Sequence, residues 1–314
     1  MTKANLLHII KILGLIVLLS FVIDKIVYFT ITKISENVYS GQAIGKLNQY
    51  LQIKDTTKTI VFGNSRANHH IDIRKLTRSS YNMGMDGKFI AHSAILIKLL
   101  PKNTAQNVLL HVEPNVAFRP TYRIDEIKSL MVKYHTNDII KEELTKMNQN
   151  NVFQKFFWCI DYNGSVLGIL KNAVFPKYNP KGYYGYDPMP LSKTDAEMFK
   201  KILARNDMDS SCRDDLKINE IYLRYLKEII AFCKENNKNL IAITSPLYTD
   251  ECLDDNAIIA EILKENNIKY YDYTHFFENN NELKYWIDYA HLTDVGAEKF
   301  SEALLSKEII LHEE

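Results

Sequence analysis

Charge of one sign is what this chain of 314 residues lacks most plainly: 39 Lys and Arg stand against 38 Asp and Glu, for a net charge of +1. No basic field points to nucleic acid, and no acidic tail points to a basic partner. Cysteine is also scarce. Cys159, Cys212, Cys233 and Cys252 form no C-x-x-C pair, and no cysteine and histidine spacing fits a zinc site. Cys233 falls in an apolar helical run and reads as a buried free thiol. An exported domain of this size does not need a disulfide, so no pairing among the four is expected. Internal repeats and low-complexity tracts are missing as well, which excludes solenoids and disordered linkers.

One long hydrophobic run is present, at the N-terminus. Ile12 to Ile23 is broken only by Gly14 and Ser20, and apolar character extends from Leu6 to Phe29 around His8, Lys11, Asp24 and Lys25. The uninterrupted part is shorter than the ~18–20 residues of a usual span. Flanking lysines can snorkel and extend it. No small-x-small cleavage site follows, so an uncleaved signal anchor is expected over residues 1–33. The alternative is a buried N-terminal helix. Lys3 and Lys11 favour the N-terminus inside, against Lys25 and Lys33 after the run. With such an anchor, the rest of the chain lies outside the cytoplasm, periplasmic or extracellular.

Residues 34–57 read as a connector with a helical patch near Ala43 to Leu51. Beyond it, short apolar strands alternate with helices. Thr59–Phe62, Ser80–Met83, Asn107–Val112, Leu240–Thr244 and Ile268–Asp272 are the strand candidates. Helices are expected over Phe89–Leu100, Ile218–Glu235, Asn256–Asn266 and Thr293–Leu305, the last capped by Thr293. This alternation predicts an α/β fold, a parallel sheet with helices on both faces, over residues 58–312. It stops at an insertion, about 120–212. That stretch is helical and charged, then aromatic (Phe153, Phe156, Phe157, Trp158), then rich in Tyr, Gly and Pro over Lys177–Pro188. The insertion is placed to cover one edge of the sheet. Tyr183, Tyr184 and Tyr186 can either pack or stack on sugars.

In parallel sheets, ligands bind at the carboxyl ends of strands. Four candidates fall there. Ser65 ends the turn Gly63-Asn64-Ser65 after the first strand. Asn82-x-Gly84-x-x-Gly87 follows the second, Asn115 follows the third, and Asp288-x-x-His291 precedes the last helix. A serine hydroxyl is a poor nucleophile until an imidazole takes its proton, and a carboxylate fixes that imidazole's tautomer. The spacing assigns those roles to Ser65, His291 and Asp288. Gly87 offers an unshielded N–H, and Asn115 a side-chain amide, to a developing oxyanion. Each has a plainer reading: Ser65 as a helix cap, Gly87 and Asn115 as turn residues. Asp272-x-x-His275 has the same spacing as Asp288-x-x-His291. It precedes Phe276-Phe277, and a packed turn is the expectation there. His69-His70-x-Asp72 lacks a third ligand for a metal, because adjacent histidines project differently.

These blocks resemble the SGNH (GDSL-type) hydrolases, from about Lys58 to the C-terminus apart from the insertion. Gly63-Asn64-Ser65 matches the first block, with Asn64 where the family usually has Asp. Gly87 matches the oxyanion glycine and Asn115 the family asparagine, although Glu-Pro-Asn-Val replaces the usual Gly-x-Asn-Asp. Asp288 and His291 match the last block. The resemblance implies a three-layer α/β/α, flavodoxin-like arrangement and a serine esterase needing no cofactor and no metal. Its oxyanion hole would use Ser65, Gly87 and Asn115. The anchor and aromatic insertion are similar to those of membrane-anchored bacterial envelope members, some of which move acyl groups on glycans. The implied substrate is an acylated small molecule or glycan, with a membrane acyltransferase as possible partner. The alternatives are an O-acyltransferase to an envelope polysaccharide, and a non-catalytic scaffold or glycan-binding subunit.

Overall fold

Strands buried on both faces of a parallel sheet read as continuous apolar runs. In the computed structural model, which describes residues 3–75, 79–205, 212, 216–250 and 252–306, such runs form the body of β1 (Thr59–Phe62), β3 (Gln106–His111) and β4 (Lys238–Thr244), while the short β2 (Ser80–Asn82) and β5 (Lys269–Asp272) carry polar residues as well. All pairings are parallel and the order is β2-β1-β3-β4-β5. Val61 lies between Asn82 and Leu109, and Ala242 between Leu110 and Tyr270. The fold is therefore α/β with a five-stranded parallel sheet, as the alternation predicts. Every residue of β1 is buried, whereas β5 at the edge is not.

The helices are α1 (Lys3–Ser35), α2 (Lys46–Ile53), α3 (Ser65–His70), α4 (Ile90–Ile97), α5 (Pro114–Ala117), α6 (Asp138–Lys146), α7 (Val166–Val174), α8 (Pro180–Tyr183), α9 (Lys193–Arg205), α10 (Glu220–Glu235), α11 (Leu253–Glu265) and α12 (Asp294–Ser306). Asn219 begins α10 by accepting the N–H groups of Ile221 and Tyr222 at 2.9 and 3.2 Å, which satisfies two orphan donors of the first turn. Thr293 caps α12, its hydroxyl accepting the Gly296 N–H at 3.1 Å. The helix ahead of Pro101 ends at Ile97, because Leu99 and Leu100 bond three residues back in tight turns.

The chain divides into two compact units. One holds the sheet: residues 49–126 and 180–314. Its core gathers Val61, Leu109 and Ile243 from the strands, Phe300 and Leu304 from α12, and the fully buried Trp286. α3 packs on α12, and α10 on α4 and β4. The other unit holds residues 1–48 and 127–179, so much of the aromatic stretch groups with the N-terminal segment. There α1 runs for 33 residues, about 50 Å at 1.5 Å per residue, which exceeds the ~30 Å of a bilayer core. Its most apolar window has a mean hydropathy of 2.7, none of it buried. It is long and apolar enough to cross a membrane.

One expectation needs correction. Cys212 and Cys252 form a disulfide, bridging 40 residues between the end of the insertion and the start of α11. Chain distance alone hides this pairing, since the two meet only once β4 has placed the loop before α11. Cys233 is free and buried as expected. Tyr183 and Tyr186 are buried packing residues, leaving only Tyr184 of the three exposed. Tyr183 is held inside by donating its hydroxyl to Asp187 at 3.0 Å.

Candidate active site

The strand order reverses beside β1, the place where open α/β sheets bind ligands outside the carboxyl ends of their strands. The chain leaves β1 through Gly63 (φ +151°), where a Cβ would lie 2.7 Å from that of His111 and 2.8 Å from that of Ala67. Only glycine allows this approach. Asn64 follows and caps α3, its side-chain oxygen accepting the Arg66 N–H at 2.9 Å. Ser65 is thereby the first residue of α3, half-buried at the sheet edge.

The partner of Ser65 comes from 226 residues away. Its Oγ lies 2.8 Å from Nε2 of His291. On the other side of the ring, Nδ1 lies 2.9 and 3.0 Å from the two carboxylate oxygens of Asp288. A carboxylate can only accept, so the imidazole proton sits on Nδ1 and Nε2 is free to take the serine proton. Burial pushes the Asp288 carboxyl up. The hydrogen bond and charge of His291, with the N–H groups of Ala290 and His291, outweigh burial and hold it below the usual aspartate value. It remains an anion when His291 needs it.

The loop that carries both residues is tightly held. Asp288 accepts the N–H groups of Ala290 at 2.7 Å and His291 at 2.8 Å, closing an Asx turn. Trp286 and Leu292 form a bridge across its base. Tyr289 is packed edge-on by Phe199 of α9 at 5.3 Å, so α9 braces the loop. The rival pair is used otherwise. Asp272 accepts from Thr274 and Asn256 within a turn, and His275 is exposed.

Gly87 and Asn115 lie on the loops after β2 and β3, the two strands that flank β1. Gly87 has φ +65°, open space around its α-carbon and an exposed position, the conformation that favours glycine. Asn115 is exposed at the start of α5. Asn82 and Gly84 are structural. Asn82 donates to the carbonyls of Ala67 and Ile71, tying down α3, and a Cβ on Gly84 would lie 2.6 Å from the Asn68 nitrogen. The structure thus joins Ser65, His291 and Asp288 directly. It sets Gly87 and Asn115 on neighbouring loops of the same sheet edge.

Several residues around the site carry no signal in the sequence. Glu113 accepts from the Asn64 amide and pairs with the buried Arg66 at 3.2 Å; Arg66 also donates to the Ser245 carbonyl. Below the triad runs a second polar chain. His70, fully buried, accepts the Leu292 N–H on Nε2 at 3.0 Å, so its proton is on Nδ1 and goes to Ser245 Oγ at 2.9 Å. That hydroxyl then donates to His111 Nε2 at 3.0 Å, and His111 Nδ1 lies 3.6 Å from Glu113. Burial, and then the Arg66 charge, push both His70 and His111 well below the usual histidine range. His69 turns the other way, with Nδ1 2.7 Å from the Asp187 carbonyl and Nε2 2.9 Å from Asp86. Asp72 pairs with Arg74. His69, His70 and Asp72 therefore diverge, and no metal-binding cluster occurs among the described residues. No protein-family model matches the chain, and comparison with curated proteins finds no match.

Proposed function

We propose that this chain is a membrane-tethered serine esterase of the SGNH type, with the sheet-bearing unit as its three-layer catalytic domain. The observation that carries the reading is the continuous hydrogen-bonded line from Ser65 Oγ through His291 to Asp288. A serine used merely as a cap has no need of an imidazole whose far nitrogen is fixed by a carboxylate. The strand order β2-β1-β3-β4-β5 is that of flavodoxin-like doubly wound sheets and supports the same reading.

In this mechanism Ser65 Oγ attacks the ester carbonyl carbon while its proton passes to His291 Nε2. Negative charge develops on the carbonyl oxygen, which the N–H groups of Ser65 and Gly87 and the Asn115 amide are assigned to receive. Collapse breaks the bond to the alcohol, which leaves with the proton from His291. Water, activated by the same imidazole, then releases the acid and restores Ser65. Each oxyanion donor is worth about 100-fold or more in rate. All the chemistry rests on side chains and backbone of the chain, without a cofactor.

The substrate class we propose is the O-acyl group of an envelope glycan or related molecule, reached from outside the cytoplasm. α1 supplies the tether, and the Cys212–Cys252 disulfide suits an oxidising compartment. Where a sugar hydroxyl replaces water as acceptor, the same residues carry out O-acyl transfer, with a membrane acyltransferase as the natural donor partner. The full chain, supplied with an O-acetylated glycan and an unacetylated acceptor, tests both. Release of free acetate marks the esterase and transfer of the acetyl group marks the transferase. Neither product, from protein that is folded, would contradict the proposal.

A further inference from the structure

Residues 152–175 carry large apolar side chains that their own unit leaves bare. Leu167 is 82% exposed, Phe175 74% and Phe153 67%, and Phe156, Leu170 and Val174 are exposed with them. On α7, Leu167, Leu170 and Val174 fall three and four residues apart, so they form one outward stripe. Ile169 on the opposite side is fully buried. A surface helix in water shows a polar outer face. The outer face of α7 is apolar apart from the exposed Lys171, and the bare stripe continues onto Phe175.

The position of this face is tied to α1. The Asp24 carboxylate accepts the N–H groups of Trp158 and Cys159 at 2.8 and 3.0 Å. Lys25 donates to the Phe156 carbonyl and lies over the Trp158 ring at 4.3 Å. Tyr162 donates to Thr32 at 2.8 Å, and α7 itself packs on α1. The aromatic turn therefore hangs where the uninterrupted apolar run of α1 stops, at Ile23. The charges in the same stretch are one-sided. Lys155, Lys171 and Lys177 are exposed, whereas Asp161 is buried against His135 at 2.6 Å.

We propose that Val152–Phe156 and the outer face of α7 form a second membrane-contacting element, sunk into the headgroup zone of an anionic bilayer beside α1. The proposal rests on α1 spanning the membrane and is independent of the serine chemistry. Water exposure of Leu167 and Phe175 is costly. Immersion among lipid chains removes that cost, and a Trp at this level matches the aromatic belt of a bilayer interface. Exposed lysines in the same element meet lipid phosphates. A helix held on both sides in this way fixes the height of the unit against the membrane rather than leaving it on a swivel.

Depth-dependent quenching tests this on the full chain in vesicles of phosphatidylcholine and phosphatidylglycerol. Lipid brominated near the headgroup or near the bilayer centre is the quencher. In a W158F background, with Trp286 as the constant baseline, three variants place a reporter: I16W, L167W and F175W. All three sites are exposed, so the fold tolerates the change. The expected result is quenching of I16W by central bromine, and of L167W and F175W by headgroup-proximal bromine with blue-shifted emission. Quenching of I16W alone would overturn the proposal while the anchor stands, and would leave the bare face to a protein partner. No quenching at any site would overturn the anchor and the proposal together. Omitting phosphatidylglycerol is expected to weaken the shallow quenching; an unchanged signal would contradict the role given to the lysines.

Discussion

The carboxylate of Glu113, where β3 ends, accepts a hydrogen bond from the side-chain amide of Asn64, the residue before Ser65. Glu113 also pairs with Arg66, the residue after Ser65, at 3.2 Å. The two chain neighbours of Ser65 are thus both held by one carboxylate just past the end of β3. The two departures from the SGNH pattern, Asn at 64 and Glu at 113, are one feature. An aspartate at 64 would face a carboxylate, whereas an asparagine turns that contact into a donor.

The first prediction follows from this contact. N64D sets two carboxyl groups together away from bulk water, forcing one to take up a proton. It is expected to lower stability by about 1–3 kcal/mol. N64D/E113Q is expected to recover part of that loss, because a glutamine amide can donate to the carboxylate introduced at position 64. E113A, which leaves the Arg66 guanidinium buried without its partner, should cost about 3–5 kcal/mol. Chemical denaturation measures all three. N64D unfolding with wild-type stability would contradict the account.

A second prediction concerns His70, a positioning residue. It accepts the N–H of Leu292, directly after the proposed base. Removing that acceptor frees the His291 loop, and a displacement of about 1 Å can cost on the order of 100-fold in rate. H70A is therefore expected to lower kcat strongly and leave KM nearly unchanged. H70Q, whose carbonyl oxygen can still accept the Leu292 N–H, should keep more activity. Equal rates in H70A and wild type would remove His70 from the site.

The parts legible in the sequence share one property: their signal is local. β1 shows as three apolar residues in a row after Thr59, α12 as a capped amphipathic run, and Asp288-x-x-His291 as a spacing that one turn can close. Ser65 stands out because glycine and a strand precede it. The Arg66–Glu113–Asn64 cluster is not legible, since 47 residues separate Arg66 from Glu113 and only the adjacency of β1 and β3 joins them. His70 is hidden behind its neighbour. Adjacent histidines project differently, which sets a metal aside at the His-His pair, but nothing local marks His70 as the acceptor of the Leu292 N–H, 222 residues away. The Cys212–Cys252 bridge and the burial of Tyr183 and Tyr186 depend on tertiary placement in the same way.

A third prediction is acid lability. Burial pushes His92 down to about 3, helped by the Lys88 charge, and holds His70 and His111 well below the usual range. In the unfolded chain each takes a proton near pH 6.5. Below that pH the unfolded state binds more protons than the native state, so stability falls as pH falls. Three such groups contribute a slope of about 4 kcal/mol per pH unit once well below pH 6.5. Tm should be level above pH 7 and fall steeply between pH 6 and 5, with a shallower fall in H92L. A constant Tm from pH 7 to 5 would contradict this.

In the proposed function, Ser65 is an activated nucleophile. Labelling of the full chain with a fluorophosphonate probe tests it most directly, because the probe reacts only with a serine whose proton has somewhere to go. Rapid labelling is expected of the wild type, none of S65A and almost none of H291A, with all three proteins folded. Undiminished labelling in S65A, or none in a folded wild type, would contradict it.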